Sequence, residues 1–218
     1  MAMKGTYFDG KAGRLNVESI FLVEGQDDAI FFDQLLSNTG ADANSVGICY
    51  VEGKDKFADF LKTVLISSAF TSGRIKKYAL IRDSDDDPAR AANEVADALR
   101  RLGEPTPNCG SVSPRPDGRK VGFYLLPGCG QPGDLEELCM RTVNGQPKAV
   151  AVDNHINSVE QAFGPLHHRS KRVAQSYLAI AADELVRGVG LATKKGVFPI
   201  NSAALGTAEA FLKTFLTA

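Results

Sequence analysis

Four short apolar runs set the plan of this chain: Ser19–Glu24, Val46–Val51, Tyr78–Ile81 and Val121–Leu126. Each is too short for a helix and rich in strand formers, and each leads through a turn into a stretch of different periodicity. Gly25 permits a sharp turn after the first run, and Asp27 or Asp28 can cap the helix that follows. That helix carries Ile30, Phe31, Leu35 and Leu36 at helical spacing, and the polar residues 37–40 end it. Glu52 and Gly53 turn the second run into a helix with Phe57, Phe60, Leu61, Val64 and Leu65 on one stripe. The third breaks into an Asp-rich turn, with Pro88 at a first-turn position and Val95, Ala98, Leu99 and Leu102 inward on the helix beyond, which Gly103 closes. A Gly/Pro loop at 127–133 joins the fourth to a short helix at 134–140, with Asp134 as its cap. Apolar runs without alternation suit strands covered on both faces, so the pattern predicts an α/β fold: a mostly parallel four-stranded sheet flanked by helices.

The segments between and beyond are less regular. Residues 1–18 read as a ragged start or an edge strand, and 104–120, rich in Pro, Gly and Ser, as a loop or loosely paired hairpin. From 144 onward the texture changes: helices are expected near 152–163, 173–186 and 207–216, with a loop over 188–200. The expected organisation is an α/β domain over 1–142 and a helical C-terminal extension over 143–218 packed on the same core. A chain of 218 residues, 44% hydrophobic, can bury such a core. Its 25 basic residues nearly cancel 26 acidic ones, which excludes a coat protein held to nucleic acid by bulk charge. The four cysteines stand far apart with no CxxC pair, which argues against zinc and against a disulfide framework and for a reducing cytoplasm. No secretory leader and no membrane span is expected.

The chemistry concentrates where the strands end. Glu24 follows the first, Glu52 the second, Asp83 and Asp85 the third, and Glu136 and Glu137 lie just beyond the fourth. In a parallel sheet these gather on the rim where ligands bind. Alternate residues of an extended chain point the same way, so Asp83 and Asp85 are expected to project together. Aligned carboxylates repel one another, and hard Mg²⁺ or Mn²⁺ relieves them. Adjacent positions of one helix cannot both face a site, and Leu135 and Leu138 as flanking packing residues favour Glu136 over Glu137.

Val23-Glu24-Gly25-Gln26-Asp27-Asp28 on a strand-to-helix turn, followed by Asp83-Ser84-Asp85 on a later strand end, resembles the Toprim domain. With the acidic helix Leu135-Glu136-Glu137-Leu138, the order is most similar to the Toprim portion of the overcoming-lysogenization-defect family of nucleases and to small stand-alone proteins related to it. The resemblance covers roughly residues 17–142. It implies that Glu24 acts as a general acid/base or metal ligand, that Asp83 and Asp85 hold Mg²⁺, and that Asp28 and either Glu136 or Glu137 complete a set for one or two ions. The implied activity is metal-dependent cleavage of phosphodiesters in DNA or RNA. The sequence departs from the larger enzymes of that group: it has no GxxxxGK[ST] loop and no tyrosine that can be placed beside the site, so topoisomerase activity is not expected, and any ATPase or targeting function would come from a protein partner.

Each of these residues also has a plainer use. Asp87 suits a helix cap, as do Asp27 and Asp28, and Glu52 suits a turn. Arg82 either neutralises the acids beside it or reaches a phosphate. Lys54 or Lys56, on the same rim, and the basic cluster of His167, His168, Arg169, Lys171 and Arg172 are candidates for nucleic-acid backbone contact, or solvated surface. The rival functions are a non-catalytic module of a DNA-repair or phage-defence system and a small-molecule phosphohydrolase; the latter needs a nucleophilic Asp early in the chain, and none is found at the first strand.

Overall fold

The computed structural model describes residues 17–40, 45–51, 53 and 56–218. Most of the expected ragged start, together with Glu52 and Lys54, lies outside the described residues. The strands are β1 (Ser19–Val23), β2 (Val46–Tyr50), β3 (Lys77–Asp83), β4 (Ser111–Pro114) and β5 (Lys120–Leu126), and they form one sheet in the order β2-β1-β3-β5-β4. β1 pairs in parallel with β2 and β3, and β3 with β5. The expected mostly parallel α/β architecture is therefore present, with a fifth strand added. β4 runs antiparallel to β5, Ser111 opposite Phe123, and comes from the segment read as a loop or hairpin. Pro114 fits there because an edge strand need not donate every backbone N–H.

The helices are α1 (Gln26–Asn38), α2 (Phe57–Ile66), α3 (Ser68–Thr71), α4 (Pro88–Arg101), α5 (Leu135–Thr142), α6 (Pro147–Phe163), α7 (Arg169–Ala181), α8 (Val189–Lys194) and α9 (Gly206–Thr217), with a short 3-10 turn at Ala203–Leu205. Alternate strand residues enter two separate cores. Phe21, Val23, Ala79, Ile81, Tyr124 and Leu126 pack with α1 and α5 to α9. Ile20, Leu22, Tyr78, Leu80, Val121, Phe123 and Leu125 pack with α2, α3 and α4. Burial on both faces is why the strands read as unbroken apolar runs. Gly122 of β5 lets α9 come close: a Cβ there would stand 2.9 Å from the ring of Phe215 and 3.0 Å from the Cβ of Ala79.

Three details correct the sequence reading. α6 begins at Pro147, well before 152, and α7 occupies 169–181 rather than 173–186. The expected loop at 188–200 contains α8, whose helical signal is weakened by Gly188 at its N-cap and Gly190 within it. Those glycines are needed by the packing, since a Cβ on Gly190 would fall 2.1 Å from the carbonyl oxygen of Asp27. Finally, Cys109 and Cys129 form a disulfide, against the expectation of none, while Cys49 and Cys139 are free and buried. Linear spacing hid it; the β4–β5 pairing brings the loops before β4 and after β5 side by side, with Gly110 N–H donating to Phe123 O at 2.7 Å. No helix among the described residues is long and apolar enough to cross a membrane.

Candidate functional site

The chain leaves β1, forms β2 on one side of it, and returns to the other side as β3. Connections therefore diverge between β1 and β3, and the crevice at their carboxyl ends is where open α/β sheets place ligands. Glu24 follows β1 directly and Asp83 is the last residue of β3, so one acid stands on each side of that crevice.

Local structure fixes the rest. Asp28 lies in the first turn of α1, and its Oδ2 accepts from the Gly25 N–H at 3.1 Å. This reciprocal bond satisfies an amide at the helix start, and the cap expected of Asp27 or Asp28 falls to Asp28. Asp134 caps α5, accepting from Glu137 N at 2.9 Å, and its other oxygen accepts from Ser170 Oγ at 2.6 Å. The next amide, Leu135 N–H, donates to Asp83 Oδ1 at 3.1 Å, which ties the end of β3 to the start of α5. Glu136 turns toward this group, whereas Glu137 pairs with Arg141.

Burial, then the charge of Glu24, pushes the Asp28 carboxyl up to about 7. Burial and the charges of Asp28, Glu24, Asp134 and Glu136 hold Asp83 well above the usual carboxylate range. Glu136 is raised by burial and by Asp134, with Lys171 offsetting part of the effect. Five carboxylates from four elements thus act on one another in one partly buried space. Lys171, at the start of α7, places its ammonium 3.9 Å from Glu136 Oε1. Burial opposes the charge on Lys171, yet Glu136, Asp83, Asp134 and Asp28 together raise its pKa.

The structure thus brings Glu24, Asp28, Asp83 and Glu136 together and adds Asp134, which the sequence marked only as a cap. Asp85 differs. β3 ends at Asp83, and Asp85 adopts a left-handed conformation (φ 51°) while its carbonyl accepts from Gly133 N–H at 2.7 Å. The alternation that was to align it with Asp83 requires extended backbone, and it stops there. Asp85 is not among the carboxylates that act most strongly on Asp83. Arg82 is buried, with Nε 3.3 Å from Glu24 Oε1 and NH1 3.0 Å from Glu94 Oε2. Arg169 bonds to Glu160 and Asn157, and Arg172 to the carbonyl of His167. A cleft of about 250 Å³ lies among α5, α6 and α7, lined by Glu137, Arg141, Asp153, Arg169 and Ser170; none of the five acids lines it.

As a donor set, four or five carboxylates without Cys or His match a hard divalent cation. As the side chains stand, however, no group of three or more His, Cys, Asp or Glu among the described residues is disposed to hold a metal ion. The chemistry of the donors fits such an ion; their spacing as it stands does not form a cage among the described residues.

A family model described as "Protein of unknown function (DUF3226)" matches residues 18–217. No curated protein matches the sequence. Among solved structures, the C-terminal region of the Burkholderia pseudomallei OLD protein is 13% identical, covering 92% of this chain and 98% of that one, with a TM-score of 0.45. The C-terminal region of the Xanthomonas campestris pv. campestris OLD protein is 12% identical, covering 93% and 97%, with a TM-score of 0.43.

Proposed function

The chain belongs to the family described as a protein of unknown function (DUF3226), and from the site it carries we propose that it is a Toprim-like phosphodiesterase that uses Mg²⁺ or Mn²⁺ to cleave nucleic acid. The observation that carries this reading is the gathering of Glu24, Asp28, Asp83, Asp134 and Glu136 at the point where the strand connections diverge. Helix capping accounts for Asp28 and Asp134 but not for Glu24, Asp83 and Glu136 beside them, and a bound cation accounts for all five. The sequence resemblance of Glu24 and Asp83 to the acidic motifs of the Toprim domain supports the same reading.

Glu24, Asp28, Asp83 and Glu136 are the residues that would hold the ion. When bound, it supplies a more acidic water and charge neutralisation at a phosphate oxygen. The chain's own groups do the positioning. Arg82 orients Glu24 from the opposite face of the sheet, and Leu135 N–H fixes one oxygen of Asp83. Asp28, pushed up to about 7, can retain or release a proton near neutrality. Lys171 offers a fixed ammonium to an anionic substrate that the carboxylates would otherwise repel.

The test is incubation of the purified protein with plasmid, single-stranded DNA and RNA in the presence of Mg²⁺ or Mn²⁺. Cleavage that disappears on chelation and in Asp83→Asn is expected. Cleavage indifferent to metal, or surviving Asp83→Asn, overturns the proposal. A second reading, a non-catalytic binding module, is favoured by one observation: Lys171 already offsets part of the charge, and no ligand cage stands formed among the described residues. Calorimetric metal binding without turnover on any of these substrates would decide for it.

A further inference from the structure

We propose that the Cys109–Cys129 disulfide is a redox switch on the acidic site, holding α5 against the end of β3 when oxidised and releasing it when reduced. Its effect on metal binding rests on the functional reading above; its effect on the order of α5 does not. Cys109 sits in the loop between α4 and β4, and Cys129 in the loop between β5 and α5. Cys129 is exposed and Cys109 half-buried, so the bond is open to a thiol reductant, while the thiols of Cys49 and Cys139 are buried.

The loop that Cys129 anchors runs directly into the site. Gly133 N–H donates to the Asp85 carbonyl at 2.7 Å, Asp134 caps α5, and Leu135 N–H holds Asp83 Oδ1 at 3.1 Å. Asp134 and Glu136 both ride on this segment, and both act on Asp83 with like charge. The disulfide is thus the covalent anchor of the segment that carries Asp134 and Glu136 to the end of β3. Besides the disulfide, the loop is held by Gln131 N–H to Gly128 O at 3.0 Å, the Gln131–Arg141 side-chain pair and the Gly133 bond. Cutting the one covalent restraint leaves these hydrogen bonds, the Ser170–Asp134 bond and the buried Leu135 and Leu138 to hold the start of α5.

The reductant is a dithiol. Its thiolate attacks the exposed Sγ of Cys129, the protein S–S bond breaks, and Cys109 leaves as a thiolate that takes a proton. The second thiol of the reductant then displaces Cys129 from the mixed disulfide. Two electrons and two protons pass to the protein, and the reductant is left as its own disulfide.

Hydrogen exchange on the oxidised protein and on the same protein reduced with dithiothreitol tests the tether. Reduction is expected to speed exchange at Gly133, Leu135 and Glu137 at least tenfold, leaving the amides of β1 unchanged. Calorimetry with Mn²⁺ is expected to show at least a tenfold weaker Kd on reduction, reversed by reoxidation. Cys109→Ser/Cys129→Ser should behave as the reduced form and ignore dithiothreitol; the reversible titration of the unaltered chain stands independently of how that variant folds. Unchanged exchange at Gly133–Glu137, or an equal Kd in the two states, overturns the switch and leaves a passive staple. Failure to bind Mn²⁺ in either state defeats the metal reading and with it the switch on metal binding, while exchange still decides whether the bond orders α5.

Discussion

At the amino end of β3, Tyr78 donates its hydroxyl to Glu104 at 2.8 Å, and Arg115 Nε stands 2.9 Å from the same carboxylate oxygen. At the carboxyl end of the same strand, Asp83 receives one backbone amide and otherwise faces four carboxylates. Glu104 is 8% exposed and is compensated by a cation and a phenol; Arg115 and Arg119 also lie over the ring of Phe70. A structural acid is buried together with its partners. Asp83, which we propose holds a metal ion, is buried among like charges, and that contrast separates the two ends more sharply than burial does.

The largest expected effect breaks the compensated end. Glu104→Ala leaves Arg115 and Tyr78 without their acceptor and should lower stability by about 3–5 kcal/mol in urea unfolding, as for other buried pairs that lose one member. The opposite sign is expected at the other end. Asp83→Asn, keeping an acceptor for Leu135 N–H but removing the carboxylate, should raise stability at high pH in chelator while abolishing metal binding. A loss of stability there would erase the distinction between the two ends.

Titration sharpens it further. Asp28 moves from 3.8 to about 7, so the folded state binds the proton more tightly than the unfolded chain. Its contribution is therefore favourable at low pH and is lost as pH rises from about 4 to about 7, so Asp28→Asn should gain on the parent protein across that window, measured by Tm at each pH. Divalent cation should reduce the gain. Lys171→Met removes the cation of the cluster and should lower stability by about 1 kcal/mol in chelator, less with Mg²⁺ present. The smallest effect belongs to Glu137→Gln, whose pair with Arg141 is exposed: a change within about 0.5 kcal/mol is expected.

The sheet was legible because each strand is buried on both faces and so reads as an uninterrupted run. β4 was not, since a half-exposed edge of four residues ending in Pro114 carries no such run. Glu24 and Asp83 could be found because a strand's carboxyl end is a fixed place in a parallel sheet. The expected alignment of Asp85 with Asp83 assumed strand geometry past the end of β3, where the backbone of Asp85 turns left-handed. Lys171 was visible as part of a basic cluster, but its inward partner lies on α5, and no local pattern reports a contact between helices. Asp134 was hidden by being a good helix cap, a sufficient reason for an Asp that masks any other. The disulfide and the fit of Gly190 against Asp27 depend on tertiary approach alone.

Gly122 carries a consequence for how the chain can be cut. With the ring of Phe215 standing 2.9 Å from where a methyl would be, α9 is seated on the middle of the sheet with no tolerance for a spacer, and Phe211 stacks on Tyr124 across the same seam. A fragment stopping at 142 would bare Phe21, Ala79 and Tyr124 to water, so trimming the chain there should yield aggregates, and a fragment that keeps the last helix should stay in solution.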